Sequence, residues 1–175
     1  MDEVIITAYD PNWIVLFEAE SARIQSFLTE DIVTRIEHFG STAVPGLAAK
    51  PIIDLLVGVK SLAIAKQVAI EPLERLGYAY WRENPDPLRM FFVKGLPPNN
   101  PRTHHLHLVE PDSNLWERLL FRDYLRQYPG ETGRYAQLKY NLAQQFPHDR
   151  SAYTVGKAEY VESVMKKARQ QPSRI

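Results

Sequence analysis

The sequence predicts a mixed α/β (α+β) fold, a mixed or antiparallel sheet flanked by helices with a helical C-terminal third. Three observations point there. Residues 51–59, PIIDLLVGV, form a nearly continuous apolar run, the pattern of a central strand buried on both faces. YAYW (78–81), LRMFFVKG (88–95) and THHLHLVE (103–110) follow one another across loops, which favours antiparallel pairing over a parallel Rossmann-type sheet. From Ser113 onward the apolar spacing turns helical. At 175 residues the chain suits a single domain, 1–175, with an α/β portion over about 1–110 and a helical portion over about 113–170.

The elements follow in order. Residues 4–8 predict a short strand that Asp10-Pro11 ends, with Asp10 suited to an N-cap and Pro11 to a first helical turn. Trp13, Leu16, Phe17, Ile24, Phe27 and Leu28 recur at helical spacing, so 11–29 is expected as an amphipathic helix. Glu20 is the one polar break in that stripe. IVTRIEHF (32–39) alternates as a strand, and GSTAV with Pro45-Gly46 supplies the turns before 51–59. Ser61 is placed to cap a helix from about 62 to 76 that stops at Gly77, with Pro72 kinking or restarting it. ENPDP and PPNNPR read as loops. Helices are expected near 113–127, 131–145 and 150–170, with the tail QQPSRI frayed.

Composition narrows the function. The 21 basic and 21 acidic residues cancel, which argues against general nucleic-acid binding, since that needs a basic surplus to displace counterions. A small anionic ligand held by two or three local cations stays open. No cysteine is present, so disulfides, thiolate nucleophiles and Cys-type zinc sites are excluded. The acidic start MDEVIITAYD does not resemble a signal peptide, and no apolar stretch approaches the roughly 20 residues that span a bilayer. A cytoplasmic protein with no membrane association is the expectation. Neither G-x-G-x-x-G nor G-x-x-x-x-G-K-[ST] occurs.

The chemistry gathers in HFGSTAVPGLAAKPIIDLLV (38–57). In Gly40-Ser41-Thr42 the glycine lets backbone approach a ligand, and successive N–H groups with two hydroxyls make an anion nest. The same residues also suit an ordinary strand-to-helix turn with a hydroxyl cap. Asp54 is a lone carboxylate on an apolar strand, and burying it unpaired costs several kcal/mol, so it faces solvent, meets a cation or serves chemistry. Lys50 meets a phosphate, Asp54 or a surface acid. His105 and His107 project from one strand face, His104 and Leu106 from the other. Beside Asp54, two imidazoles and a carboxylate would pull metal choice toward Mn²⁺, Fe²⁺ or Zn²⁺; without metal they are hydrogen-bonded strand residues. His38 aims into the same cleft or buttresses the turn. In LWERLLFRDYLRQYP, Trp116, Leu119, Leu120 and Phe121 make the core face, with Arg122 and Asp123 beside it. Lys139 and Lys157 line a ligand groove or cover a solvated helix face.

A glycine-serine turn followed by a strand aspartate resembles the nucleotidyltransferase superfamily, in which the nest holds the triphosphate and two carboxylates at i and i+2 hold divalent metal. Here Ile52 and Leu56 occupy the flanking positions, so the second carboxylate is missing. HFGSTAVPGLAAKPIIDLLV, THHLHLV, LLFRDYLRQYP, YAQLKYNLA and YTVGK, in that order, resemble the GrpB family from about Tyr9 to Ala168. The resemblance implies a nucleotidyltransferase-like fold. It carries over His38, Gly40, Ser41, Thr42, Pro45, Gly46, Lys50, Pro51 and Asp54, then His105 and His107, then Arg122, Asp123, Lys139 and Lys157.

Two functions are therefore expected. The first is a metal-dependent nucleotidyltransferase with a nucleoside triphosphate donor and an unspecified acceptor. In it Asp54 and Lys50 are catalytic; His38, Gly40, Ser41, Thr42, Arg122, Lys139 and Lys157 bind phosphate or nucleotide; Asp54, His105 and His107 hold a divalent metal, Mg²⁺ or Mn²⁺ before Zn²⁺. The second is a catalytically degenerate module that binds a nucleotide or small phosphorylated ligand. Fusions to dephospho-CoA kinase within the family link it to coenzyme A synthesis. An accessory role for the helical third finds no exposed heptad seam to support it.

Overall fold

The computed structural model describes residues 3–96 and 100–171. Five strands, β1 (Val33–Phe39), β2 (Ile53–Val59), β3 (Tyr78–Tyr80), β4 (Met90–Lys94) and β5 (His104–Val109), form one mixed sheet in the order β1-β2-β5-β4-β3. β2 and β5 are parallel; every other pair is antiparallel. Seven α-helices surround it among the described residues: α1 (Asn12–Phe27), α2 (Leu62–Val68), α3 (Ile70–Arg75), α4 (Arg118–Gln127), α5 (Pro129–Gln145), α6 (Arg150–Gly156) and α7 (Ala158–Arg169).

Strand alternation divides the sheet into two faces. Ile53, Leu55, Val57 and Val59 of β2 join Leu106, Leu108, Met90 and Phe92 in a core that Trp13, Ile24, Ala65 and Leu73 cover from α1, α2 and α3. Each such aliphatic side chain, fully buried, contributes roughly 1.5–3 kcal/mol. On the other face Leu56 packs with Phe39 and Val109 under Leu115, Trp116 and Leu119. Asp54, His105 and His107 share that second face. The C-terminal helices cover it, anchored where Val44 and Leu47 meet Leu125, Tyr135 and Val164.

Several expectations are corrected. Residues 4–8 make only an isolated bridge, Thr7 to Ala49, because Val4 donates its N–H to Pro147 O and no strand neighbour extends the pairing. In α1, Leu16 and Phe27 are exposed, and Glu20 is buried on the stripe with Trp13 and Ile24. Its carboxylate accepts from Lys94 Nζ at 2.7 Å, which is how a polar break is tolerated there. The helix over 62–76 restarts at Ile70, as expected from Pro72, which has no N–H to give the Val68 carbonyl. Ser61 does cap α2, accepting from Ile64 N–H at 3.5 Å. The helix near 113–127 begins with a 3-10 turn, Asn114–Glu117, and Leu120 is exposed. The span 150–170 is two helices jointed at Lys157. Part of PPNNPR (97–99) and the tail beyond 171 lie outside the described residues.

Candidate functional site

A cavity of about 710 Å³ lies between the polar face of β2 and β5 and the helices α4 to α7. Each wall traces to a local feature. Gly40 leaves β1 with φ of 74°, a left-handed conformation, and a Cβ there would collide with the Asp54 carboxylate. Glycine therefore lets the Ser41–Ala43 turn close over Asp54. The parallel β2–β5 register sets Asp54 opposite His105 and Leu56 opposite His107. Lys50 enters from the loop before β2, and Lys139 from α5. The joint between α6 and α7 brings in Lys157.

The cavity collects Gly40, Ser41, Thr42, Lys50 and Asp54, together with His105, His107, Lys139 and Lys157. It leaves out His38 and Arg122. His38 is buried, stacked on Phe17 at 4.6 Å, and its Nε2 lies 3.1 Å from Thr42 Oγ1. Thr42 gives its one hydroxyl proton to Ile52 O at 3.0 Å, so His38 Nε2 is the donor to it. Burial pushes the His38 pKa down to about 4, against a smaller pull from Asp54. His38 thus buttresses the turn as a neutral ring, and Thr42, though it touches the cavity, has its hydroxyl committed to the frame. Arg122 Nη1 donates to Glu37 Oε2 and to His38 O, both at 2.9 Å, while Nε and Nη2 hold Asp123. Its fork clamps α4 to β1.

The three lysines define the electrostatics. Burial lowers Lys50 to about 7, helped by repulsion from Arg150 and Lys157 and opposed by Asp54. Burial, then Lys157 and Lys50, lowers Lys139 to about 7. Lys157 falls to about 8 through burial, partly offset by Asp54. Lys139 is almost wholly buried, donates to Ala48 O and lies 4.8 Å over the Tyr135 ring. Lys50 and Lys157 lie over the Tyr153 ring at 5.1 and 4.3 Å.

The candidate metal ligands are arranged differently from a metal centre. Asp54 Oδ1 accepts from His105 Nδ1 at 3.0 Å, so that nitrogen carries a proton and has no lone pair to offer. His105 Nε2 is buried without a partner, and its ring meets Phe91 at 5.3 Å. His107 Nδ1 faces the Arg89 guanidinium at 3.3 Å, and burial holds this imidazole at about 3, hence neutral. Burial would raise the Asp54 pKa, but the hydrogen bond from His105 and the electrostatic pull of His105, His107 and Lys50 outweigh it, and the group is lowered. Among the described residues no group of three His, Asp or Glu is placed to hold a metal ion. The set does not fit a tightly held divalent ion.

Sequence reasoning missed Arg89, Arg118, Tyr135 and Tyr153, which also line the cavity. A signal existed for the tyrosines. Tyr135 and Tyr153 each stand four residues before a site lysine, and i,i+4 spacing stacks ring and ammonium on one helical face.

The family profile described as GrpB protein matches residues 3–167. The UPF0157 protein PA4798 of Pseudomonas aeruginosa is 46% identical over 168 residues, 95% of this chain and 68% of that protein. The crystal structure of the conserved protein GrpB from Enterococcus faecalis superposes with a TM-score of 0.85 at 38% identity, covering 94% of this chain and 96% of the other. The Cid1 poly(U) polymerase, in a structure described with bound MgATP, gives a TM-score of 0.55 at 14% identity over 86% of this chain and 50% of its own, a likeness of fold. A stretch of 75 residues is 40% identical to a dephospho-CoA kinase of Mycolicibacterium paratuberculosis, 39% of this chain and 17% of that enzyme. The chain belongs to the GrpB family and has the nucleotidyltransferase-like fold.

Proposed function

We propose that the chain binds a phosphorylated small molecule, a nucleotide first of all, in the cavity between β2–β5 and α4–α7. The observation that carries this reading is the convergence of Lys50, Lys139 and Lys157 on one buried space, with Asp54 and Glu162 among the residues that line it. Confining like charges in a desolvated space is costly, and an incoming anion relieves it. The volume accommodates a ligand of nucleotide size. The fold is shared with a polymerase whose structure is described with MgATP. Titration calorimetry with ATP, and with coenzyme A as a second phosphorylated probe, tests it. Saturable binding is expected, and Lys139→Met should weaken it about tenfold or more, the scale of one charge-assisted hydrogen bond. No binding of either probe would remove the reading.

Nucleotidyl transfer is the second reading, favoured by the position of Asp54 at the cavity wall against the Gly40-Ser41 turn. In it an acceptor hydroxyl attacks the α-phosphorus, pyrophosphate leaves, and the hydroxyl proton passes to Asp54. A radiolabelled nucleotide screen over acceptors and metals checks it; turnover should vanish in Asp54→Asn.

A further inference from the structure

Phosphate groups entering a desolvated cavity need countercharge, and the superfamily layout set out above supplies it through metal held by two strand carboxylates. In this chain the second carboxylate position is Ile52 on one side of Asp54 and Leu56 on the other. One nitrogen of each imidazole is engaged: His105 Nδ1 donates to Asp54, and His107 Nδ1 accepts from Arg89. A guanidinium against one imidazole repels a cation from that end of the cavity.

The lysines stand on the opposite account. Lys139 is fixed by Ala48 O and Tyr135, and Lys50 and Lys157 converge on the Tyr153 ring from two different elements. Among the described residues none of the three forms an ion pair with a carboxylate; Asp54 attracts Lys50 and Lys157 only at longer range. An ammonium fixed over a ring and left without its own anion is prepared for one that arrives from outside.

We infer that Lys50, Lys139 and Lys157 take the place of divalent metal, so that the cavity binds the phosphate groups of a metal-free nucleotide or polyphosphate. The inference rests on the cavity being a phosphate site, and it goes further by naming the form of the ligand and the sign of the metal effect. Magnesium that coats the phosphates competes with the lysines for the same oxygens, so it weakens binding here.

Titration calorimetry of the full chain with ATP and with inorganic triphosphate, each in EDTA and in excess Mg²⁺, tests this. Binding in EDTA is expected to be as tight as in Mg²⁺ or tighter for both probes. Lys50→Met and Lys157→Met should each lose about tenfold in EDTA. Asp54→Asn, which removes a negative charge beside the lysines, should raise affinity in EDTA. Circular dichroism and thermal melting of each variant show that it is folded. Binding that disappears in EDTA and returns with Mg²⁺, or that Asp54→Asn weakens in Mg²⁺, overturns the metal-free inference and leaves the phosphate site standing. Absence of binding in both conditions overturns both.

Discussion

Gly40 is where a single residue decides most. Its φ of 74° and the Asp54 carboxylate against its α-carbon mean that any side chain is resisted twice, by backbone conformation and by contact. Gly40→Ala should therefore lower stability by about 1–3 kcal/mol in urea unfolding, the cost of a left-handed non-glycine residue, with the clash adding to it. Because Asp54 must move to make room, ligand affinity should change in the same variant. A Gly40→Ala protein with unaltered urea midpoint would show that the turn is not held as described. His38 illustrates the complementary case. Its sequence neighbourhood suggested a ligand, yet its Nε2–H is spent on Thr42, and Thr42 is spent on Ile52 O. Which way a strand histidine points follows from strand parity, but how its nitrogen is used depends on Thr42, four residues on, and on Ile52, ten residues beyond that, which takes the Thr42 proton.

Elements supply the site by their ends and joints. α4 is tied to β1 by Arg122, which reaches Glu37 and the His38 carbonyl across the interface and grips Asp123 on its own helix. Arg122→Met should lose about 1–3 kcal/mol of stability through that clamp while ATP affinity stays within about twofold, as thermal melting and calorimetry would show. A large affinity loss with unchanged stability would instead restore Arg122 to the binding surface. The α6–α7 joint matters for the opposite reason. Lys157 is the joint residue itself, between Gly156 and Ala158, and it lies over the Tyr153 ring beside Lys50. Strand identities were readable because apolar alternation is a local property: β1, β2, β4 and β5 fall within the expected segments, with ends trimmed by a residue or two. The short strand at 4–8 was not, because pairing needs a neighbour, and Thr7 finds only Ala49.

At the scale of the whole molecule the buried titratable groups set the pH dependence of folding. Lys50 and Lys139 bind protons near 7 in the folded state and near 10.4 in the unfolded chain, so between about 7 and 10 the unfolded state holds more protons and stability rises with pH. His38, at about 4, and His107, at about 3, stay neutral in the fold while free histidine charges below about 6.5, so stability falls as pH drops through that range. The lowered Asp54 acts in the same direction at lower pH. The ligand-free protein should therefore gain thermal stability from about pH 4 up to about pH 10, without a maximum at neutrality, and Lys139→Met should flatten the upper limb. Melting temperatures across that range decide it; a decline beginning near pH 8 in the parent protein would contradict the burial of the lysines. Among the described residues no helix is long and apolar enough to cross a membrane.

The sequence by itself determined the mixed α/β character, the two-faced central strand, the helical C-terminal third and the family, because each is written in contiguous residues: alternation, helical periodicity and the block around Gly40 to Asp54. It also named most of the polar residues that meet in the cavity. Only the tertiary structure decided that β5 lies parallel and adjacent to β2, that Lys139 and Lys157 come inward while Arg122 does not, and that the Nδ1 atoms of His105 and His107 are engaged by Asp54 and Arg89. The reason is that strand order and helix docking are fixed by contacts between distant segments. A side chain's chemical role depends on which groups those contacts have already spent.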